Sequence, residues 1–155
     1  MKRIAIISDT HGILREQVIA ELDAADCIFH AGDINTPSTA DTVRMLGETY
    51  MVRGNNDMDW AKDLPASIST TIEGVRFFIV HNRTDVPKRL PKVDVVIYGH
   101  SHKYFSEVID GVLYLNPGSC GKRRFNLEIS MCRMTVDAGH FQYEKVIIPH
   151  NSPLE

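Results

Sequence analysis

The chain has 155 residues, 43% of them hydrophobic and 24% charged, the balance of a soluble globular protein able to bury a core. Lys and Arg total 17 against 20 Asp and Glu, and the resulting charge of −3 excludes a strongly basic nucleic-acid binder or an acidic disordered tail. No apolar run approaches the ~20 residues of a membrane span, and the apolar stretch after Met1-Lys2-Arg3 is too short for a signal-peptide core. A single domain over residues 1–155, in the cytoplasm, is the expectation. Cys27, Cys120 and Cys132 form no C-x-x-C pair, which argues against disulfide scaffolding and against thiolate metal binding.

Residues 3–8 are β-branched and almost wholly apolar, as in a strand buried on both faces. Residues 14–24 follow with Leu14, Val18, Ile19 and Leu22 at helical spacing. Residues 27–31 read as a second strand. Residues 38–46 read as a second helix that Ser38 can cap, and 49–53 as a third strand. This alternation predicts parallel pairing. The second half predicts hairpins instead. Residues 67–72 and 75–81 flank Glu73-Gly74, residues 104–109 and 112–115 flank Asp110-Gly111, and 129–136 and 140–148 flank Asp137-Ala138-Gly139. Residues 93–98 form another buried strand. Residues 82–92, broken by Pro87 and Pro91, read as a loop with a short helix. The whole predicts a mixed α/β domain with two sheets between helical layers.

Five of these strands end in short polar segments. They are Asp9-Thr10-His11-Gly12, Gly32-Asp33, Gly54-Asn55-Asn56-Asp57, His81-Asn82 and Gly99-His100-Ser101-His102. Strand ends in open α/β sheets converge on one edge, where ligands bind. The donors are oxygens and imidazoles, a set suited to Mn, Fe, Zn, Co or Ni rather than to all-oxygen Ca²⁺. Each segment alone has a plain structural reading. Asp9 can cap the following helix, His11 or His81 can be a buried imidazole, and the Gly-Asp and Gly-Asn pairs can be turns. His100 and His102, at i and i+2 in extended chain, point to one side and can serve neighbouring metals. Five such accidents, each at a strand end, are improbable together, so the set predicts a metal centre.

As an ordered set, Asp9-x-His11, Gly32-Asp33, Gly54-Asn55-x-Asp57, His81 and Gly99-His100-x-His102 resemble the motifs of the calcineurin-like metallophosphoesterases. Asn116-Pro117-Gly118-Ser119 is similar to a loop of that family's small YfcE-like phosphodiesterases. The resemblance implies a four-layer α-β-β-α sandwich with two mixed sheets and two divalent metals. Carried over, Asp9, His11 and His102 would hold one metal, and Asn55, His81 and His100 the other. Asp33 would bridge them. The implied reaction is hydrolysis of a small phosphodiester by attack of a metal-bridging hydroxide, with no membrane partner. Family likeness favours Mn²⁺, while the ligand chemistry also admits Fe, Zn, Ni, Co or Mg.

Two positions depart from the family pattern. Asn56 stands where many members carry a phosphate-contacting His, and an amide can donate a hydrogen bond but no proton at neutral pH. Asn82 stands where Gly often follows the metal-binding His. Asn56 and Arg53 are candidates for stabilising the phosphoryl oxygens, with a solvated strand end as the plain reading of Arg53. Asp57 is a candidate for orienting a neighbour, or for capping a turn. His30 reads as a core or supporting residue, and His140 and His150 receive no role. Lys122-Arg123-Arg124 is a solvated basic loop that could reach an anionic substrate. Two rival functions are a metal-binding scaffold of the retromer-subunit type and a nuclease. Retention of His11, His81, His100 and His102 opposes the first, and the absence of added basic segments opposes the second.

Overall fold

A computed structural model describes residues 1–124 and 126–149; His150 lies outside the described residues. The first half alternates as its sequence predicts: β1 (Lys2–Ile7), α1 (Glu16–Ala24), β2 (Cys27–His30), α2 (Pro37–Leu46) and β3 (Glu48–Met51). Then come β4 (Ser67–Ile72), β5 (Val75–Val80), β6 (Val95–Ile97), β7 (Phe105–Ile109), β8 (Val112–Asn116), β9 (Ser130–Asp137) and β10 (His140–Ile147). They form two five-stranded mixed sheets, ordered β10-β9-β1-β2-β3 and β4-β5-β6-β8-β7. In the first sheet β1, β2 and β3 run parallel, and in the second β5, β6 and β8 do. All three hairpin expectations hold. Glu73-Gly74, Asp110-Gly111 and Ala138-Gly139 each carry two successive positive φ angles, the turn geometry that matches strand twist.

Strand alternation distributes the apolar side chains among three layers. Ile4, Ile6 and Phe29 of the first sheet meet Phe77, Ile79, Val95 and Leu115 of the second in the central core. Phe29 and Phe77 meet edge to face across it, with ring centroids 4.9 Å apart. On the outer face of the first sheet, Ala5, Ile7 and Ile28 pack against Val18 and Leu22 of α1 and Ala40 and Val43 of α2. The outer face of the second sheet places Phe78, Val80, Val96 and Tyr98 under Val86 and Leu90. The covering segment there, residues 82–92, is irregular apart from one short 3-10 turn at Arg83–Asp85, so this fourth layer is thin.

Two local expectations are corrected. Helix α2 is capped by Thr36, whose hydroxyl accepts the Thr39 N–H at 3.2 Å; Ser38 lies inside the helix. Pro37 takes the first helical position, where its missing N–H costs nothing, and that moves the cap two residues back. Helix α1 starts at Glu16, too far along the chain for Asp9 to cap it.

Candidate metal centre

Three of the five polar segments leave their strands through left-handed backbone. Asp9 (φ 56°) and His11 (φ 48°) follow β1, Asp33 (φ 59°) follows β2, and His100 (φ 77°) and His102 (φ 63°) follow β6. Asp, Asn and His enter this region more readily than most side chains. Each such residue ends the ladder and turns the next side chain aside. The expected extended geometry of His100 and His102 is therefore wrong. With both residues left-handed, their imidazoles diverge to two different clusters.

Asp9, His11 and His102 form the first cluster. The Nε2 atoms of His11 and His102 lie 3.3 Å apart, and Asp9 Oδ1 is 3.6 Å and 3.5 Å from them. Asp9 Oδ2 is already engaged, accepting from Ser8 Oγ at 2.7 Å and from the His100 N–H at 3.1 Å. Oδ1 is buried without any hydrogen-bond partner. A buried carboxylate oxygen left facing two imidazole nitrogens is costly unless a cation occupies the gap. These residues fit a divalent metal.

The second cluster contains Asp33, His81 and His100, with Asn55 among them. Asn55 Oδ1 lies 2.9 Å from His81 Nε2 and 3.1 Å from His100 Nδ1. His81 Nδ1 donates to the Ala31 carbonyl at 2.7 Å, which turns the Nε2 lone pair toward the cluster. Burial alone would lower the His81 pKa, but hydrogen bonding to Asp33 and the charge of Asp9 raise it. A cation held there would compete with that proton. Asp33 Oδ2 stands 3.3 Å from His81 Nε2 and 3.7 Å from His11 Nε2, so one oxygen reaches both clusters. Burial works to raise the Asp33 pKa, but the His81 hydrogen bond and the Asn56 N–H prevail and hold it at about 2.

The remaining candidates surround this pair. Asn56 donates to Asp33 twice, from its backbone N–H to Oδ1 at 2.9 Å and from Nδ2 to Oδ2 at 3.2 Å. Asp57 points away from both clusters. Its carboxylate accepts four backbone N–H groups, from Asp33, Ile34, Asn35 and Gly54, at 2.8–3.0 Å. It thereby ties the loop after β2 to the loop after β3. Gly54 permits that approach, since a Cβ there would fall 2.2 Å from Asp33 Oδ1. The Arg53 guanidinium donates to the Leu64 carbonyl at the rim. His30 is fully buried, with Nδ1 accepting the Gly32 N–H and Nε2 3.1 Å from Thr10 Oγ1. Burial pushes its pKa down to about 4, so the ring is neutral and supports the loop.

Three further residues matter that the sequence reading left without a role. Ser8 donates to Asp9, as described. Asn116 Nδ2 donates to the Gly99 carbonyl and to Ser101 Oγ, holding the segment that bears His100 and His102. Ser119 Oγ lies 3.0 Å from the Asp9 carbonyl. Only the Asn-Pro-Gly-Ser resemblance signalled the last two, and nothing in the pattern marked Ser8. In the basic loop, Arg123 Nε donates to the Leu127 carbonyl and Lys122 accepts from Ser119 through its carbonyl.

Residues 1–139 match the calcineurin-like phosphoesterase superfamily domain. A phosphodiesterase of Methanocaldococcus jannaschii is 30% identical over 139 residues, covering 76% of this chain and 84% of that protein. Among solved structures, Yfce, a phosphoesterase from E. coli, superposes with a TM-score of 0.70 at 23% identity, over 84% of this chain and 87% of that one. Vps29 of Entamoeba histolytica, complexed with Zn²⁺, superposes with a TM-score of 0.72 at 19% identity, over 94% and 98%. By the extent of the domain match and the level of identity to that relative, the chain belongs to the calcineurin-like phosphoesterase superfamily.

Proposed function

We propose that this protein is a phosphodiesterase acting through two divalent cations, most simply Mn²⁺, and that it works on a small phosphodiester in the cytoplasm. The observation that carries the reading is the shared Asp33 oxygen, within 3.7 Å of an imidazole nitrogen in each cluster. Asp9, His11 and His102 would hold one cation, and Asn55, His81 and His100 the other. Two such cations polarise a phosphoryl group and make a water acidic enough to attack it.

The chain's own groups do the rest. Asn56 steadies the Asp33 carboxylate and offers an amide donor to the phosphoryl oxygens, but it supplies no proton. Asp57 is a positioning residue that keeps Asp33 and Asn55 in register. Arg53 braces the rim on which a phosphoryl substituent rests. The buried, unpaired cysteines Cys27, Cys120 and Cys132 agree with a reducing compartment. Among the described residues no helix is long and apolar enough to cross a membrane.

The likeness to Vps29, described as a vacuolar protein sorting protein, favours a second reading as a metal-binding scaffold. One experiment separates the two. The protein is stripped of metal, reloaded with single ions, and assayed on phosphomonoesters, phosphodiesters and DNA, with metal content measured in parallel. The expected result is diester hydrolysis that needs a divalent ion, is strongest with Mn²⁺ and collapses in chelator. Metal binding without hydrolysis of any ester would establish the scaffold, and preferential cleavage of DNA would establish a nuclease.

A further inference from the structure

A cleft of about 320 Å³ opens directly from the second cluster, lined by Asn55 and His81 themselves and then by Arg53, Ser67, Asn82 and Asp85. Its volume is that of a small-ligand site. Its walls are braced internally. Arg53 donates its backbone N–H to the Pro65 carbonyl at 3.0 Å and its guanidinium to the Leu64 carbonyl, which fixes the wall leading to Ser67. On the opposite wall, Asn82 Oδ1 accepts from Thr84 N at 3.1 Å and Thr84 Oγ1 at 3.0 Å, capping the Arg83–Asp85 turn. The Asp85 N–H closes that turn on the Asn82 carbonyl at 2.9 Å. Asn82, one of the two departures from the family pattern, is thus the residue that presents Asp85 to the cleft. Among the described residues the Asp85 carboxylate has no ion-pair or hydrogen-bond partner of its own.

We propose that this cleft selects the alcohol that stays on phosphorus, and that it selects one bearing vicinal hydroxyls, with Asp85 as the acceptor for the hydroxyl pair. The inference rests on the phosphodiesterase reading. A group bonded to phosphorus at the two clusters enters this cleft first, because Asn55 and His81 belong to both. The chemistry of the lining narrows what enters. The Asp85 carboxylate disfavours a second phosphate or a carboxylate, and a purely apolar arm would meet Ala66 and Val80 but leave four polar side chains without a partner. Hydroxyl groups satisfy all four, and a carboxylate beside a ribose diol is an established pairing in nucleotide sites. In the reaction a water oxygen forms the new bond to phosphorus. The bond to the leaving alcohol breaks with its electron pair, one proton passes to solvent, and the diol arm remains as a phosphomonoester.

The test uses p-nitrophenyl diesters that share one leaving group and differ in the retained arm: uridine 5′, 2′,3′-dideoxyuridine 5′, glyceryl, aminoethyl and phenyl. The Mn²⁺-loaded protein is expected to favour the uridine and glyceryl esters about five- to tenfold in kcat/KM, chiefly through KM. Asp85→Ala is expected to bring the uridine to dideoxyuridine ratio close to one. A uridine ester preferred to the glyceryl ester identifies a furanose, whereas equal rates identify the hydroxyl pair alone. A ratio that Asp85→Ala leaves unchanged, or a preference for the aminoethyl or phenyl arm, overturns the proposal. A second readout needs no turnover. In the metal-free protein, amide resonances of Ser67, Asn82 and Asp85 are expected to shift with uridine and not with dideoxyuridine, and to lose that difference in Asp85→Ala. Shifts without hydrolysis of any ester overturn the phosphodiesterase reading and leave the cleft assignment standing. Hydrolysis with no shift and no diol preference does the reverse.

Discussion

Both oxygens of Asp33 are in use: Oδ1 takes the Asn56 N–H at 2.9 Å, and Oδ2 lies within 3.7 Å of imidazole nitrogens from both clusters. On the proposed two-cation reading, Asp33→Asn removes a charge shared by both sites, and the expected loss of activity exceeds about 100-fold, beyond the usual cost of changing a supporting residue. Metal analysis is expected to show both ions depleted, whereas Asp9→Asn retains one. On the same reading, an amide at Asn56 would leave the departing oxygen without a dedicated acid there, an expected deficit of about 10²–10⁴-fold on basic alkoxides. Rates across a series of diesters are therefore expected to fall steeply with leaving-group pKa, and Asn56→His to flatten the slope; a flat wild-type plot with chemistry rate-limiting would refute this. His30 gives a pH signature of its own. Burial holds it at about 4, against 6.5 when exposed, so between those values the unfolded chain binds a proton that the folded chain refuses. Stability from this group is complete above pH 6.5 and is lost as the pH falls toward 4, roughly 3 kcal/mol in all. In metal-free protein, urea midpoints measured from about pH 7.5 to 4.5 (a range covering most of that window) are expected to vary less in His30→Gln.

At the scale of elements, the centre is built where strands stop. Asp9, His11, Asp33, His100 and His102 all take positive φ, a conformation costing roughly 1 kcal/mol or more apiece outside glycine. Asp57 offsets part of that cost in the Asp33 loop by gathering three of its N–H groups together with one from the loop after β3. The hairpin turns were legible because a Gly in the second position of a short connection supplies the positive φ that such turns need. The divergence of His100 from His102 was not, since i, i+2 spacing has meaning only in extended chain and nothing local announces two left-handed residues. The cap of α2 was misplaced for a similar reason. Ser38 and Thr36 are both competent caps, and Pro37 at the first helical position decides for Thr36. Thr36→Ala is accordingly expected to destabilise the protein by about 1 kcal/mol in chemical denaturation, and Ser38→Ala by a few tenths at most.

Across the whole molecule, the centre joins the two sheets. Asp9, His11, Asp33 and Asn55 follow strands of the first sheet, while His81, His100 and His102 follow strands of the second. Cation binding should therefore strengthen the contact between sheets as well as equip the site. A bound ion at a hundredfold excess over its Kd adds about 2.7 kcal/mol to stability. Thermal unfolding is expected to move upward by several degrees with Mn²⁺ in the wild type and by much less in Asp33→Asn. The order of strands and helices in the first half, the three hairpins and the identity of the clustered polar residues were all determined by the sequence itself, because periodicity, turn chemistry and donor type are local properties. The family resemblance carried the assignment of each ligand to its cluster, and tertiary structure alone decided that His100 and His102 diverge through left-handed backbone, that Asp57 binds backbone N–H groups and that Arg53 turns to the Leu64 carbonyl. Those outcomes depend on how two twisted sheets bring distant strand ends within 4 Å or so of one another, a distance that hydrogen-bonding and metal-binding atoms read sharply and that sequence spacing does not encode.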